Sequence, residues 1–518
     1  MEVQDALSRS LVTGEVLARN ARNFPDRLAV IDGDRRISYS NFNQRVNSLA
    51  NSLKDIGVGR GDRVATMLYN SLEIVECYFA AAKLGAVVVP IHTRSAPPEI
   101  LYVVNHSGAC VMIYDGRFVN HINRVRGEMV SVRRFVVVEP MAPGEDSEYE
   151  ELIIKSPPVE PGAVVDDDDP AFILYTAGTT GHPKGAVLTH KNFLVSILNT
   201  ALETGLGTGE TFMCVVPVYH ASGLVSLLMQ VYLGGTVVMV REFDPAVVAR
   251  VMSQEGVTGI FLVPAMWRFL LQFPGLAGQD TTTLKVAFSG GALLPVKVKQ
   301  RLLEVFSQCR LFELFGQTEV TAFTCVLKPG DVLDKAPSVG RPLIHLEVRV
   351  VDEQAQDVPV GSVGEVVYRG TTVMQGYYRD PEATAQAFRD GWFHSGDLVR
   401  VDDAGFLYLV DRKKDMVVTG GEKVYPAEVE EVLAHHPKVL EAAVIGIPSS
   451  RWGEAVHAVV VPRPGAKVTA EEIMEFCAES LAGFKQPKSV EFAAALPRNA
   501  AGKILKTQLR EKFREPTL

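Results

Sequence analysis

Up to about residue 340 the chain alternates short β-branched runs with amphipathic helical stretches, and no other feature restricts its fold as strongly. Val64–Leu68, Cys110–Tyr114, Phe135–Val138, Phe172–Tyr175, Gly259–Val263 and Val286–Phe288 read as strands. Tyr39–Ile56, Leu72–Leu84, Asn192–Thr204, Pro245–Gln254 and Pro295–Phe306 read as helices. Such alternation predicts an α/β fold of parallel-type sheets covered by helices. Thr211–Val240 lacks Asp, Glu, Lys and Arg and is long enough to span a bilayer. Pro217, His220, Gly223 and Gly234-Gly235 instead divide it into strand Phe212–Val216, a polar loop, helix Leu224–Leu233 and strand Thr236–Val240. That is the pattern of a buried β-α-β segment, so no transmembrane span is expected.

Pro140–Pro170 is rich in proline and acidic residues and reads as a surface linker preceding a new sheet. From about Leu346 the strands crowd together (Glu347–Val351, Gly364–Tyr368, Phe406–Val410), predicting a small β-rich subdomain over 346–411. A further unit follows with helix Pro426–His435, strands Leu440–Gly446 and Ala455–Val461, helix Ala470–Leu481 and strand Ser489–Phe492. The expected division is therefore a large domain, 1–411, and a small α+β domain, 412–518.

The 518 residues carry 52 Lys+Arg against 61 Asp+Glu, a net charge of -9, which argues against a protein built mainly to hold nucleic acid. The 6 cysteines form no CxxC pair, so neither a zinc knuckle nor a thioredoxin-type motif is supported, and buried thiols in a reducing cytoplasm are the expectation. Glu2 and Asp5 stand where a signal peptide would need an apolar region.

The strongest local signal is Tyr175-Thr-Ala-Gly-Thr-Thr-Gly-His-Pro-Lys-Gly185, a buried strand running into glycines, hydroxyls and one lysine. Glycines let backbone N–H groups approach an anion closely, and Lys184 adds a point charge, which suits a polyphosphate. The spacing is not that of Walker A. The string resembles the phosphate-loop signature of the adenylate-forming superfamily, which includes acyl-CoA synthetases, luciferases and adenylation domains of peptide synthetases. Four further motifs follow in the order that family shows. Phe315-Gly-Gln-Thr-Glu319 resembles its aromatic-Gly-x-Thr-Glu motif and His394-Ser-Gly-Asp397-Leu its ribose motif. Asp411-Arg-Lys-Lys414 through Gly420-Gly421 resembles its hinge, and Pro497 to Lys503 its C-terminal catalytic lysine motif.

The resemblance implies an AMP-forming acid–CoA ligase that uses ATP, Mg2+ and coenzyme A. Attack of a carboxylate on the α-phosphorus needs positioning and charge stabilisation more than covalent help. The implied catalytic set is Lys503, His220, Glu319 and Lys184, with Glu319 as the carboxylate for the metal. The implied nucleotide set is Thr176, Gly178, Thr179, Thr180, Gly181, Lys184, Gly291, Ala292, Glu313, Leu314, Phe315, Gly316, Thr318, Asp397 and Arg412. Phe315 stands where the family usually has Tyr, and its ring still supplies stacking on adenine. Lys414 falls at the hinge on which the small domain rotates between half-reactions. Gly420 and Gly421 would then line a pantetheine channel.

By the same resemblance Asn199, His220, Ser222, Val225, Ser289, Gly290 and Thr321 belong to the acid pocket. Amino-acid-activating relatives carry Asp where this chain has His220, so an α-amino acid is not expected. Trp452, Phe484, Lys485 and Lys488 match positions that hold the CoA nucleotide, and Gln486 stands where some relatives have Arg. No carrier domain follows Lys503, so the thiol is expected in trans. A medium- or long-chain fatty or alicyclic acid is the favoured substrate, ahead of an aryl or hydroxycinnamate-type acid. The alternatives are a stand-alone loader of carrier proteins, a luciferase-like oxygenase and a nucleotide-sensing module; the joint presence of Lys184, Glu319, Asp397, Arg412 and Lys503 counts against the last. The family often dimerises, so a homodimer is a further expectation.

Overall fold

The computed structural model describes residues 12–139, 148–176, 183–498 and 504–513. They form two compact units. One takes the chain up to Val348 together with Tyr368–Phe393; the other takes Arg349–Val367 and the chain from His394 onward. Lys414, the expected hinge, lies inside the second unit.

The first unit is built on two large sheets. In the nine-stranded sheet, Leu28–Asp32, Thr236–Met239, Thr211–Cys214, Gly259–Leu262, Val286–Gly290 and Arg310–Phe315 pair in parallel, in that order. Antiparallel strands close both edges. The central strands are buried along their whole length, which is why they read as unbroken apolar runs rather than alternating ones. The seven-stranded sheet runs Gly376–Tyr377, Lys184–Thr189, Pro170–Thr176, Val87–Pro90, Arg63–Met67, Val111–Asp115, Arg134–Val138. Pro170–Thr176 therefore joins a sheet begun by Arg63–Met67, and no new sheet starts there. Local proximity of the loop signals hid a long-range pairing, Val88 beside Phe172.

The expected linker also needs correction. Glu148–Lys155 is a helix whose Tyr149 is fully buried, packed on helix Tyr39–Asp55. Glu160 pairs with the buried Lys83 at 2.6 Å. Helix Leu72–Leu84 is buried at every position, acidic and basic residues included. Each of its charges has a partner, Glu73 with Arg35, Glu76 with Arg45 and Lys83 with Glu160, although burial outweighs Arg45 and pushes Glu76 up to about 7. Ser71 caps its start and Gly85, in the left-handed region at φ 67°, ends it. Several helices escaped the sequence reading, among them Thr13–Asn23, Pro97–Ser107 and Pro264–Gln272, the last two opened by proline in the first turn. The expected helix at Leu224 starts at Ala221, so His220 is its N-cap residue. No helix among the described residues is long and apolar enough to cross a membrane.

In the second unit, part of strand Trp392–Val401 pairs with Leu407–Arg412, placing Asp397 opposite Arg412. A separate five-stranded sheet runs Glu422–Val424, Val417–Thr419, Gly453–Pro462, Val439–Ser449, with Ser489–Phe492 parallel to Gly453–Pro462. Both of its faces are covered. Val444, Val456, Ala458 and Val460 pack with Val429, Leu433, Ile473 and Cys477, while Ala443, Ile445, Val459 and Val461 pack with Leu496 and Leu509. The strict period of two sorts these neighbours onto opposite faces.

Candidate active site

In the first unit the candidate residues gather beyond the carboxyl ends of neighbouring parallel strands, where ligands bind in open α/β sheets. Gly291 and Ala292 follow Val286–Gly290, and Gly316 to Glu319 follow Arg310–Phe315. Gly291 takes φ 82°. A Cβ on Gly316 would sit 2.0 Å from the Ala322 carbonyl oxygen, so only glycine permits the chain to double back there. Thr321 and Ala322 adopt φ of 52° and 74°, a strained pair that the tight return imposes. Phe315 is half-buried at the strand end, and its carbonyl accepts from Thr324 N at 2.7 Å.

Thr176 and Lys184 are cross-strand partners at the mouth of the phosphate-type loop. Gly178, Thr179, Thr180 and Gly181 lie outside the described residues. Glu319 is brought to the same mouth by a short 3-10 turn, Thr318–Val320. Its Oε1 accepts from Thr176 Oγ1 at 3.3 Å and from Tyr377 OH at 3.0 Å. No described residue donates to its Oε2, so one carboxylate oxygen is available to a hard cation, which fits a site that takes Mg2+ mainly through nucleotide phosphates. Glu313 is committed elsewhere: it pairs with the buried Lys299 and accepts from Leu294 N at 3.1 Å, fixing the Gly291–Ala292 loop. Leu314 is buried beside it.

The acid-pocket candidates come from helices His190–Thr204 and Ala221–Tyr232, which pack on each other, and from the same strand ends. Asn199, Val225, Ser289 and Thr321 are fully buried, and Ser222 is half-buried. Gly290 abuts the Leu314 carbonyl so closely that a Cβ would lie 2.6 Å from it. Thr321 Oγ1 donates to Thr372 O at 2.6 Å. Asn199 Oδ1 meets His345 Nδ1 at 2.5 Å, whereas Asn199 Nδ2 and Ser289 Oγ are buried without a hydrogen-bond partner among the described residues. His220 is held among rings, 5.2 Å from His92 and 4.9 Å from Tyr219 by centroid. Burial pushes its pKa down to about 4. Burial, then His220 and Arg94, lowers His92 to about 3. Both rings are therefore neutral near pH 7, suited to orienting a carboxyl rather than pairing with it as an ion.

In the second unit Arg412 Nε meets Asp397 Oδ1 at 3.0 Å across the hairpin, with Asp397 buried and Arg412 half-exposed. Glu365 organises the turn before Asp397, accepting from Gly396 N, His394 and Lys413 at 3.0–3.1 Å. Burial alone would raise its carboxyl, but His394 and Lys413 outweigh that and hold it below the usual range. Lys414 is exposed two residues beyond Arg412. Gly420 and Gly421 are exposed, with φ of 59° and 88°. Gly420 N donates to Trp452 O at 2.8 Å, and a Cβ there would lie 3.5 Å from the indole. Lys488 Nζ lies 5.8 Å from the Trp452 ring, so these three expected thiol-side residues do come together. Phe484 is exposed, and Lys485 is engaged by Glu428 at 2.6 Å. Lys503 lies outside the described residues.

The sequence reading missed Tyr377, His92, His345 and Glu365. Each is distant in sequence from the motif it supports, and only the fold supplies the proximity.

Comparison with known proteins identifies the family. The AMP-binding enzyme model matches residues 17–378, and the AMP-binding enzyme C-terminal domain matches 428–503. The chain belongs to the AMP-binding enzyme family, the adenylate-forming superfamily. A feruloyl-CoA synthase of Amycolatopsis sp is 38% identical over 496 residues, covering 96% of this chain and 98% of that protein. A long-chain-fatty-acid–CoA ligase of Mycobacterium tuberculosis is 36% identical, covering 93% and 94%. The structure of the O-succinylbenzoate coenzyme A synthetase of Bacillus subtilis with ATP and magnesium ion superposes with TM-score 0.85 at 29% identity, covering 96% and 99%. Within the family this chain is an AMP-forming acyl-CoA synthetase, an acid–thiol ligase.

Proposed function

We propose that this synthetase activates a polar-substituted aromatic acid of the hydroxycinnamate type and passes it to coenzyme A. The observation that carries the reading is the pair of buried, unpartnered groups at expected pocket positions, Asn199 Nδ2 and Ser289 Oγ. Each costs on the order of 1–3 kcal/mol if left unpaired. A ring hydroxyl, methoxy or carbonyl oxygen would satisfy the Asn199 donor, and Ser289 can donate or accept. A saturated chain would leave both unpaired. The similarity to a feruloyl-CoA synthase supports the same choice. This reverses the weighting toward a fatty or alicyclic acid drawn from sequence, which is the competing outcome of the test.

In the first half-reaction the acid's carboxylate oxygen attacks the α-phosphorus of ATP and pyrophosphate leaves. Lys184, Thr176 and Thr318 meet the phosphate oxygens, Phe315 stacks on adenine, and Asp397 and Arg412 hold the ribose. His220, neutral, orients the carboxylate. Glu319 would hold Mg2+, which when bound offsets charge on the phosphate oxygens. Lys503 supplies a cation to the carboxylate and α-phosphate. In the second half-reaction CoA sulfur attacks the acyl carbon and AMP leaves. Gly420 and Gly421 make room for pantetheine, while Trp452, Phe484, Lys485 and Lys488 meet the nucleotide end. The six unpaired buried cysteines suit a reducing cytoplasm.

The test is the kcat/KM ratio between 4-hydroxycinnamic and dodecanoic acids. The reading expects the aromatic acid to lead by at least about tenfold, and Asn199→Leu to collapse the ratio. A preference for dodecanoic acid that Asn199→Leu leaves unchanged would overturn it.

A further inference from the structure

We infer that Tyr377 is a positioning residue for ATP activation, setting Glu319 and Lys184 relative to each other at the mouth of the phosphate loop. Its hydroxyl donates to Glu319 Oε1 at 3.0 Å, and Lys184 Nζ lies 5.3 Å from its ring centroid, within cation–π range. One side chain thus touches both the carboxylate and the ammonium. The backbone around it secures the same two elements. Met374 N donates to Glu319 O at 2.8 Å, while Gln375 N and Tyr378 N donate to Val187 O and Gly185 O at 3.0 and 2.7 Å. The strand Gly376–Tyr377 adds to the edge of Lys184–Thr189, with Tyr377 opposite Ala186.

Gly376 makes this close approach possible. Its φ is 148°, and a Cβ would lie 2.8 Å from Thr384 Cγ2. Thr384 Oγ1 in turn accepts from Tyr377 N at 2.9 Å, anchoring the strand to helix Pro381–Ala387. With Thr176 and Tyr377 both on Oε1, rotating the carboxylate would break both hydrogen bonds, and no described residue donates to Oε2.

The inference rests on Lys184 and Glu319 serving ATP as proposed above, so the experiment carries both as controls. ATP binding is measured by calorimetry on the full chain, with and without Mg2+, for wild type, Glu319→Gln, Lys184→Ala, Tyr377→Phe and Tyr377→Leu. Tyr377→Phe should lose about tenfold of the affinity that Mg2+ adds, the worth of a hydrogen bond to a charged group, with metal-free binding unchanged. Tyr377→Leu should also weaken metal-free binding, because Lys184 loses its ring. Thioester formation from supplied acyl-adenylate should be unaffected in both. Thr176→Val, which removes the other donor to Oε1 and a proposed phosphate contact, should lose part of the Mg2+ gain and weaken metal-free binding as well. If Glu319→Gln and Lys184→Ala bind ATP as wild type does, the underlying reading fails. If they weaken it while Tyr377→Phe keeps the full Mg2+ gain, the inference alone fails. Equal loss with and without Mg2+, accompanied by a lowered Tm, would reduce Tyr377 to a structural role and overturn it as well.

Discussion

At the scale of single residues, the proposed acid pocket would trade stability for recognition. Ser289 Oγ is buried with no partner among the described residues, so removing it should stabilise the free enzyme. Ser289→Ala is expected to raise stability by about 1 kcal/mol and to raise KM for a hydroxyaryl acid severalfold; denaturant titration and steady-state kinetics read the two effects. The neutral histidines set a pH limit. His92, His190 and His220 have pKa values pushed down to about 3, 4 and 4, chiefly by burial, from an ordinary 6.5. The unfolded chain therefore binds more protons below 6.5. Their contribution to stability is fully present above that value and is lost as pH falls toward 4. Thermal midpoints from pH 7.5 to 4.5 should fall, and a His92→Asn, His220→Gln double variant should flatten the slope. The motif-borne residues, such as Glu319 and Asp397, were legible because glycines and carboxylates sit at fixed offsets in one short string. Tyr377 and His345 were not, because nothing local marks a tyrosine 58 residues from the carboxylate it touches.

At the scale of elements, helix Leu72–Leu84 shows how much charge a core can carry when each group has a partner. Lys83 is held by Glu160 and by Asn43 and Asn47 at 2.6–2.7 Å. Glu160→Ala should leave that ammonium short of a counter-charge and cost about 1–3 kcal/mol, seen as a lower urea midpoint with unchanged slope. Tyr149→Ala should cost about 3–5 kcal/mol, since the ring fills a core site and its hydroxyl donates to Glu76 at 2.9 Å. Periodicity located most helices and strands to within a few residues, as for Leu72–Leu84, Pro245–Gln254 and Ser489–Phe492. It failed for Glu148–Lys155, where a locally acidic, proline-flanked composition masks a helix that exists because Tyr149 and Ile153 bury one face. Composition reports solvation of the exposed side and says nothing of two well-placed apolar residues.

At the scale of the whole molecule, the candidate residues divide between the two units. The proposed phosphate and acid residues lie in the first, while the proposed ribose pair Asp397–Arg412 and the Gly420–Trp452 contact lie in the second. The α/β class was readable from strand–helix alternation. Strand order was not, since pairings such as Val88 with Phe172 depend on chain crossovers that periodicity does not encode. Lys503, assigned by its motif, should act in one half-reaction only. Lys503→Ala is expected to cut adenylate formation at least about 100-fold while sparing thioester formation from supplied adenylate, as two half-reaction assays would show. The most direct test of the central claim is product analysis by mass spectrometry, with ATP, Mg2+ and a panel of hydroxyaryl, aryl and fatty acids, each with and without CoA. The account predicts AMP together with a hydroxyaryl-CoA thioester, formed only when CoA is present. Thioester from fatty acids alone, or an adenylate that CoA never consumes, would contradict it.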